Sequence, residues 1–240
     1  TELNLIRNQS SGETFNFFED ILVSSTSFSW ISKQVLKPKS VSFNYQYGLL
    51  QDGSTSSFSK ASVTAKYRHN YDKDLNGIEF RGFIGGYLFN NVQDSRFRMY
   101  EVGSNGASDI TYNNVFLGRN DDHPNMLSQQ MVLNEGGLRT PSPFSSKTWL
   151  GGFNTDIDIP AKLPFNLYFD VAFFPYSLTS CTSSGCISTN KISANYVGGL
   201  SFTVIKDVFE IYMPLFVNQD LKDIYEYQNI NFLQRIRFTF

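Results

Sequence analysis

The last twelve residues, NINFLQRIRFTF, alternate. Ile230, Phe232, Ile236, Phe238 and Phe240 fall on one parity, and Asn229, Asn231, Arg235, Arg237 and Thr239 on the other. A period of two predicts a strand with one apolar and one polar face. The pattern recurs upstream. Phe209, Ile211, Met213, Leu215 and Val217 share a face in 208–217, where Pro214 predicts a bulge or a local break in pairing. In 192–204, Ile192, Ala194, Tyr196, Leu200, Phe202 and Val204 oppose Ser193, Asn195, Ser201 and Thr203. In 165–174, Phe165, Leu167, Phe169, Val171 and Phe173 oppose Asn166, Tyr168 and Asp170, and before it Trp149, Phe153, Ile157 and Ile159 oppose Asn154, Asp156 and Asp158. Segments 78–89, 58–69 and 41–50 follow the same rule, with one strand expected near 22–35 and a weaker one near 2–9, about ten in all.

Alternation also suits a soluble sandwich or a lipocalin-like barrel, whose apolar face turns inward. Three features favour an antiparallel transmembrane β-barrel. The alternating runs are long enough for a tilted bilayer crossing. Tyr67, Tyr71, Tyr87, Phe89, Tyr168, Phe174, Tyr176, Tyr225 and Tyr227 sit near the expected strand ends, as interfacial aromatics do. Short links (KPK, DKDLNG, PAKLP, IKD) alternate with longer polar segments at 51–57, 91–147, 178–191 and 218–228. Short periplasmic turns and long extracellular loops are the rule for bacterial outer-membrane barrels, so the chain is expected in that membrane, with its terminus on the periplasmic side.

Composition fits. Aromatic residues make up 16% of the chain while mean hydropathy is only −0.25, as expected where hydrophobicity occupies every second position. No apolar run of transmembrane-helix length occurs. A formal net charge of −2 gives no electrostatic reason to expect nucleic acid. The start at Thr1 reads as a processed chain or as the C-terminal part of a larger protein.

Catalytic chemistry is not legible. His69 and His123 lie in different segments, and neither an HExxH nor a GxSxG motif occurs, so no catalytic residue, cofactor or metal ligand is expected; Asp121, Asp122 and His123 read as a solvated loop. Cys181 and Cys186 flank TSSG in an expected outer loop, where their spacing suits a small disulfide-closed loop in preference to two free thiols. Charges of both signs take the inward parity: Lys60, Lys66, Arg68, Glu79, Arg81, Asp156, Asp158, Asp170, Glu210, Arg235 and Arg237. These read as a cross-strand ion-pair network filling a narrow lumen, with a polar channel as the functional alternative. Segment 91–147 is long enough to be an extracellular cap or an inserted plug. Its glycines allow turns, and Phe97, Tyr100, Tyr112, Phe116 and Leu117 offer a small apolar cluster.

The ordered segments FRMYEVGSNGASDITYNNVFLGR, SQQMVLNEGGLRTP, LPFNLYFDVAFFP, GGLSFTVIKDVFEIYMPLF and QRIRFTF resemble the C-terminal barrel region of large Bacteroidota cell-surface gluzincin metallopeptidases, over about residues 60–240. The resemblance implies a zinc peptidase domain outside this chain and a barrel that anchors it at the cell surface. More weakly, the late strands are similar to barrels of outer-membrane assembly and secretion proteins. The lid loop of that family has an arginine-bearing tip, to which Leu117-Gly118-Arg119 is comparable here. The expected partners are the outer-membrane bilayer, the barrel-assembly machinery through a terminal recognition strand carrying Phe238 and Phe240, and an attached or associated surface domain.

Overall fold

A computed structural model describes residues 2–11, 16–51, 55–72, 76–92, 100–103, 114–117, 126–133, 135–160, 164–182, 185–205 and 208–239, with the side chains of 2–21, 51, 55 and 177–190 outside the description. Five strands precede the long central segment: β1 (Glu2–Ser11), β2 (Asn16–Ser32), β3 (Lys39–Gln51), β4 (Thr55–Asn70) and β5 (Gly77–Asn90). Within the segment lie the two-residue strands β6 (Tyr100–Glu101) and β7 (Ser145–Ser146) and a 3-10 turn at Leu127–Gln129. Then come β8 (Trp149–Asp158), β9 (Phe165–Thr182), β10 (Gly185–Ile205), β11 (Phe209–Val217), helices α1 (Gln219–Tyr227) and α2 (Phe232–Arg235), and β12 (Arg237–Thr239).

Ten strands form one antiparallel meander in the order β1-β2-β3-β4-β5-β8-β9-β10-β11-β12, while β6 and β7 pair separately. The fold is all-β, and no described helix is long and apolar enough to cross a membrane. The sheet is not closed in the described residues. β1 pairs with β2, and the far edge of β12 meets the central segment instead, where the Met131 amide donates to the Phe238 carbonyl at 2.8 Å.

The expected parity decides which face each side chain takes. Register aligns the inward residues of neighbouring strands: Gln46 with Lys60, Lys66 with Arg81, Glu79 with Asp156, and Asn154 with Asp170. The outer face carries exposed Phe28, Trp30, Phe43, Val63, Ile84, Phe153, Phe169, Phe173 and Tyr196. Rings meet across strands on this face, Phe80 with Phe153 at 5.9 Å and Phe165 with Phe202 at 5.2 Å.

Several expected elements differ. Segments 51–57 and 178–191 are largely strand, because the β3–β4 and β9–β10 hairpins keep pairing almost to their tips. Segment 218–228 is helix α1, whose Leu221 and Tyr225, one turn apart, are buried. Only residues 237–239 of the alternating terminus pair as a strand. A reciprocal capping box winds the residues before them into α2: the Asn231 side chain accepts from the Gln234 amide, and the Gln234 side chain accepts from the Asn231 amide. In β11 Leu215, next to Pro214, is bulged out of the pairing, which shifts the parity. Phe216 then faces outward over Gly198, and Val217 turns inward to the core.

Tyr87, Tyr168, Phe174 and Tyr225 are not interfacial. The first three have inward parity and Tyr225 rides on α1, so all four join the interior cluster with Phe83, Tyr100, Val102, Met131, Leu138, Leu150 and Leu221. Tyr67, Tyr71, Phe89, Tyr176 and Tyr227 are exposed.

Candidate functional site

The inner face of β4 to β11 receives one strip of the central segment, Glu135 to Arg139. Glycine permits the approach. A Cβ built at Gly137 would lie 2.8 Å from the Ala172 Cβ and 3.3 Å from the Gly152 Cα, so the backbone of the strip rests on the floor formed by β8 and β9. Its polar groups are then bound in sequence. Glu135 pairs with Lys60 Nζ at 2.7 Å. The Gly136 carbonyl accepts from Arg81 Nη1 at 3.2 Å, and the Gly137 carbonyl from Asn154 Nδ2 at 2.7 Å. Asn154 Oδ1 in turn accepts from Arg81 Nη1 at 2.9 Å, so two wall residues hold both each other and the strip.

Arg139 ends the strip and is the centre of the site. Its side chain is 1% exposed and that of Asp170 is 0% exposed, so neither charge has water to fall back on. Nη2 reaches Asp170 Oδ1 at 2.6 Å, Nε lies 3.0 Å from both Asp170 oxygens, and the Arg139 amide donates to Asp170 Oδ2 at 2.9 Å. Nη1 donates to Asp156 Oδ1 at 2.5 Å, and the Thr155 carbonyl takes another bond at 3.3 Å. The rings of Tyr168 and Tyr212 each lie 4.7 Å from the guanidinium carbon. Burial opposes this charge, but the carboxylates of Asp156 and Asp170 outweigh it and hold the Arg139 pKa above its ordinary value.

One side chain thus touches β8, β9 and β11. On a flat sheet β8 and β11 would stand about 14 Å apart. The wall therefore curls around Arg139, and the concave face is a packed interior.

Helix α1 closes the other side of the strip. Its N-cap Asn218 is tied to β10, accepting from the Tyr196 amide at 3.2 Å and donating to Asn195 Oδ1 at 3.0 Å. Tyr225 donates its single hydroxyl proton to the Pro141 carbonyl at 2.8 Å, which leaves Thr140 as the donor in their 2.7 Å contact. Burial pushes the Tyr225 phenol pKa up, against the hydrogen bond from Thr140 and the charges of Arg237 and Arg235.

The expected inward charges divide into groups. Lys60, Arg81, Asp156 and Asp170 meet the strip. Arg68, Glu79 and Asp158 form a second cluster near the β4–β5 turn, where Arg68 pairs with Glu79 at 3.3 Å and with Asp158. Glu210 accepts from the Tyr212 hydroxyl. Three residues stay outside both clusters. Lys66 is exposed, the Arg235 guanidinium lies 4.6 Å from the Tyr225 ring, and Arg237 Nη1 donates to the Gln234 and Ile236 carbonyls. Arg235 is wound into α2, whereas Arg237 begins β12 opposite Tyr212. Phe238 is buried against Phe209.

Phe240, Arg119, Asp121, Asp122, His123, Phe97 and Tyr112 lie outside the described residues. Of the apolar cluster expected in the central segment, Tyr100 is buried and Leu117 exposed. Register makes Cys181 and Cys186 direct cross-strand partners, while their side chains are outside the description. Among the described residues no group of three or more His, Cys, Asp and Glu is placed to hold a metal ion. Compared with family models, curated proteins and solved structures, the chain matches none.

Proposed function

We propose that this chain is the membrane-embedded part of an outer-membrane β-barrel and acts as an anchor or scaffold for an attached or associated surface domain. The observation that carries the reading is the inversion of the two faces. The outer face of the meander is apolar and rich in exposed aromatics, and the inner face carries the ion pairs and is filled by the protein's own central segment. A water-soluble sheet of this size would have the opposite arrangement. Open strand edges do not persist in hydrocarbon, so the reading requires β1 to be paired, by β12 or by further strands. It also makes the short turns periplasmic and the β9–β10 hairpin external. The segment resemblance extends the proposal to a zinc peptidase as the anchored domain, and of the cap and plug expected for 91–147 the docking of Glu135–Arg139 on the inner face supports the plug.

Ile84 lies in the middle of β5 and is 60% exposed, so Ile84→Arg separates lipid from water. Facing lipid near the midplane, the substitution costs about 2–4 kcal/mol of folding stability in bilayers. At a water-exposed site it would stay within about 0.5 kcal/mol, and that result in a denaturant titration would reject the membrane reading.

A second reading, an assembly, secretion or transport barrel, is favoured by one feature. An arginine does enter the interior, at Leu138-Arg139, while Arg119 of the comparable Leu117-Gly118-Arg119 lies outside the described residues. Conductance of the reconstituted chain distinguishes the two. An anchor stays closed when Arg139→Ala loosens the strip, whereas a gated barrel opens.

A further inference from the structure

The residues that follow the strip, the end of helix α1 and β12 leave a cavity of about 250 Å³ between them. Arg237 enters it from the sheet. It pairs opposite Tyr212, whose ring faces Arg139, so its side chain has the inward parity. The other walls are fixed by the chain itself. The Tyr225 hydroxyl donates to the Pro141 carbonyl and so holds the stretch after Thr140 against α1. Beyond α1, Asn229 takes a left-handed conformation at φ 53°, which asparagine tolerates, and the Ile230 amide turns back onto the Tyr225 carbonyl at 2.8 Å. Ile230 thereby lines the cavity together with Pro141, Ser142 and Pro143.

The polar groups of this lining include donors without a matching acid. Arg237 spends Nη1 on the Gln234 and Ile236 carbonyls, and its Nε and Nη2 have no acceptor among the described residues. Those two atoms form one edge of the guanidinium, the same edge with which Arg139 grips the Asp170 carboxylate. Ser142 Oγ accepts from the Phe144 amide at 3.3 Å, which leaves its proton uncommitted among the described residues. No aspartate or glutamate lines the cavity among the described residues. Glu210, the acid on the neighbouring strand, is turned to the Tyr212 hydroxyl, and Arg235 is committed to the Ile230 carbonyl and the Tyr225 ring. The lining thus offers one cation beside the apolar surfaces of Pro141, Pro143 and Ile230.

We propose that this cavity is a binding site for a small organic carboxylate. The Nε–Nη2 edge of Arg237 takes both carboxylate oxygens, the Ser142 hydroxyl donates a further bond, and the two prolines and Ile230 cover an apolar body. The volume, below the ~300 Å³ at which ligand pockets begin, restricts the guest to a small molecule. A phosphate would bring a second charge with no second cation to meet it, and an uncharged guest would leave the guanidinium edge unpaired. The site does not rest on the membrane reading, because its walls are the same whichever solvent covers the outer face.

The test is equilibrium dialysis of the full chain in detergent against radiolabelled benzoate, which carries a carboxylate on a flat apolar body. Benzoate should bind saturably, and neither benzamide nor inorganic phosphate should displace it. Arg237→Gln should weaken binding about tenfold or more, the equivalent of about 1.4 kcal/mol. Arg237→Lys keeps the charge but not the two-atom edge, and should recover little of that loss. Ser142→Ala should weaken binding about threefold through one lost hydrogen bond. Lys222→Gln, which removes an exposed cation from α1, should leave binding unchanged. The two milder variants at the site carry the test if Arg237→Gln does not fold. Absence of saturable binding, unchanged binding in Arg237→Lys, equal loss in Lys222→Gln, displacement by phosphate, or binding of an acidic peptide in place of benzoate would overturn the assignment. None of these outcomes touches the membrane reading, which depends on the outer face.

Discussion

Two arginines on the same face of the sheet each bind two carboxylates, in different surroundings. Arg68 belongs to β4, and its partners Glu79 and Asp158 sit on β5 and β8, with the Glu79 side chain 35% exposed. Arg139 belongs to no strand of the sheet, and Asp170 and two tyrosine rings exclude water from it. The first cluster ties neighbouring strands together near a turn. The second ties an inserted segment to the wall. Depth and origin, not the kind of pair, decide what each can contribute: an open pair is replaceable by water, whereas a buried charge that loses its partner has no substitute.

Removing the Arg139 guanidinium should therefore have the largest effect. Arg139→Ala leaves Asp170 buried and uncompensated beside Asp156, and should cost about 3–5 kcal/mol in a denaturant titration of the folded chain. Asp170→Asn in the same background should recover part of that loss, because it removes the stranded charge. A cost below that of an ordinary surface substitution would show that Arg139 does not hold the segment.

Much of this architecture is legible from parity. Most of the strands from β3 to β11 and their inward residues follow from period two, the irregularity beside Pro214 follows from the proline's missing amide, and the long hairpins depart from the pattern only where polar residues continue pairing past the apolar stretch. Arg139 escapes the pattern because it lies in a segment without periodicity. A signal is present nonetheless. The strands containing Asp156, Asp158 and Asp170 carry no lysine or arginine of their own, so at least one cation had to come from elsewhere, and GGLRTP supplies it with two glycines for close approach. The helices before the terminus are hidden for a different reason. In a run as short as 229–236, alternation fits a strand and a capped turn equally well, and the Asn231–Gln234 box decides the outcome.

The docking of the strip also depends on small residues, and glycine at two places on the wall should show it. Gly152 faces the strip, and a Cβ there would lie 3.0 Å from the Gly137 Cα; Gly82 is on the outer face, where an added Cβ would meet nothing within 4 Å. Gly152→Val should destabilise by about 1–3 kcal/mol through overpacking. Gly82→Val should be neutral or slightly stabilising, since a β-branched residue suits an open strand position. Equal effects at the two sites in the same denaturant titration would mean that the strip does not rest on β8.

A smaller loss than at Arg139 or Gly152 should come from Arg68. Removing the guanidinium also removes the 2.7 Å bond from its Nε to Asn70 Oδ1, but the Gly77 amide still donates to Asp158 Oδ2 at 3.0 Å and Asn70 Nδ2 to the Val35 carbonyl at 2.8 Å, so the turn keeps other contacts. Asp158 retains that amide bond, and Glu79 is open enough to regain water. Arg68→Ala should cost about 1 kcal/mol or less, and added salt should shrink the difference from the parent chain because the pair lies near the surface. The Arg139→Ala loss should be nearly insensitive to the same salt, since a fully enclosed pair is poorly screened. If the two variants lost similar stability with similar salt dependence, depth would not separate the two clusters, and the interior around Arg139 would have to be as wet as the turn around Arg68.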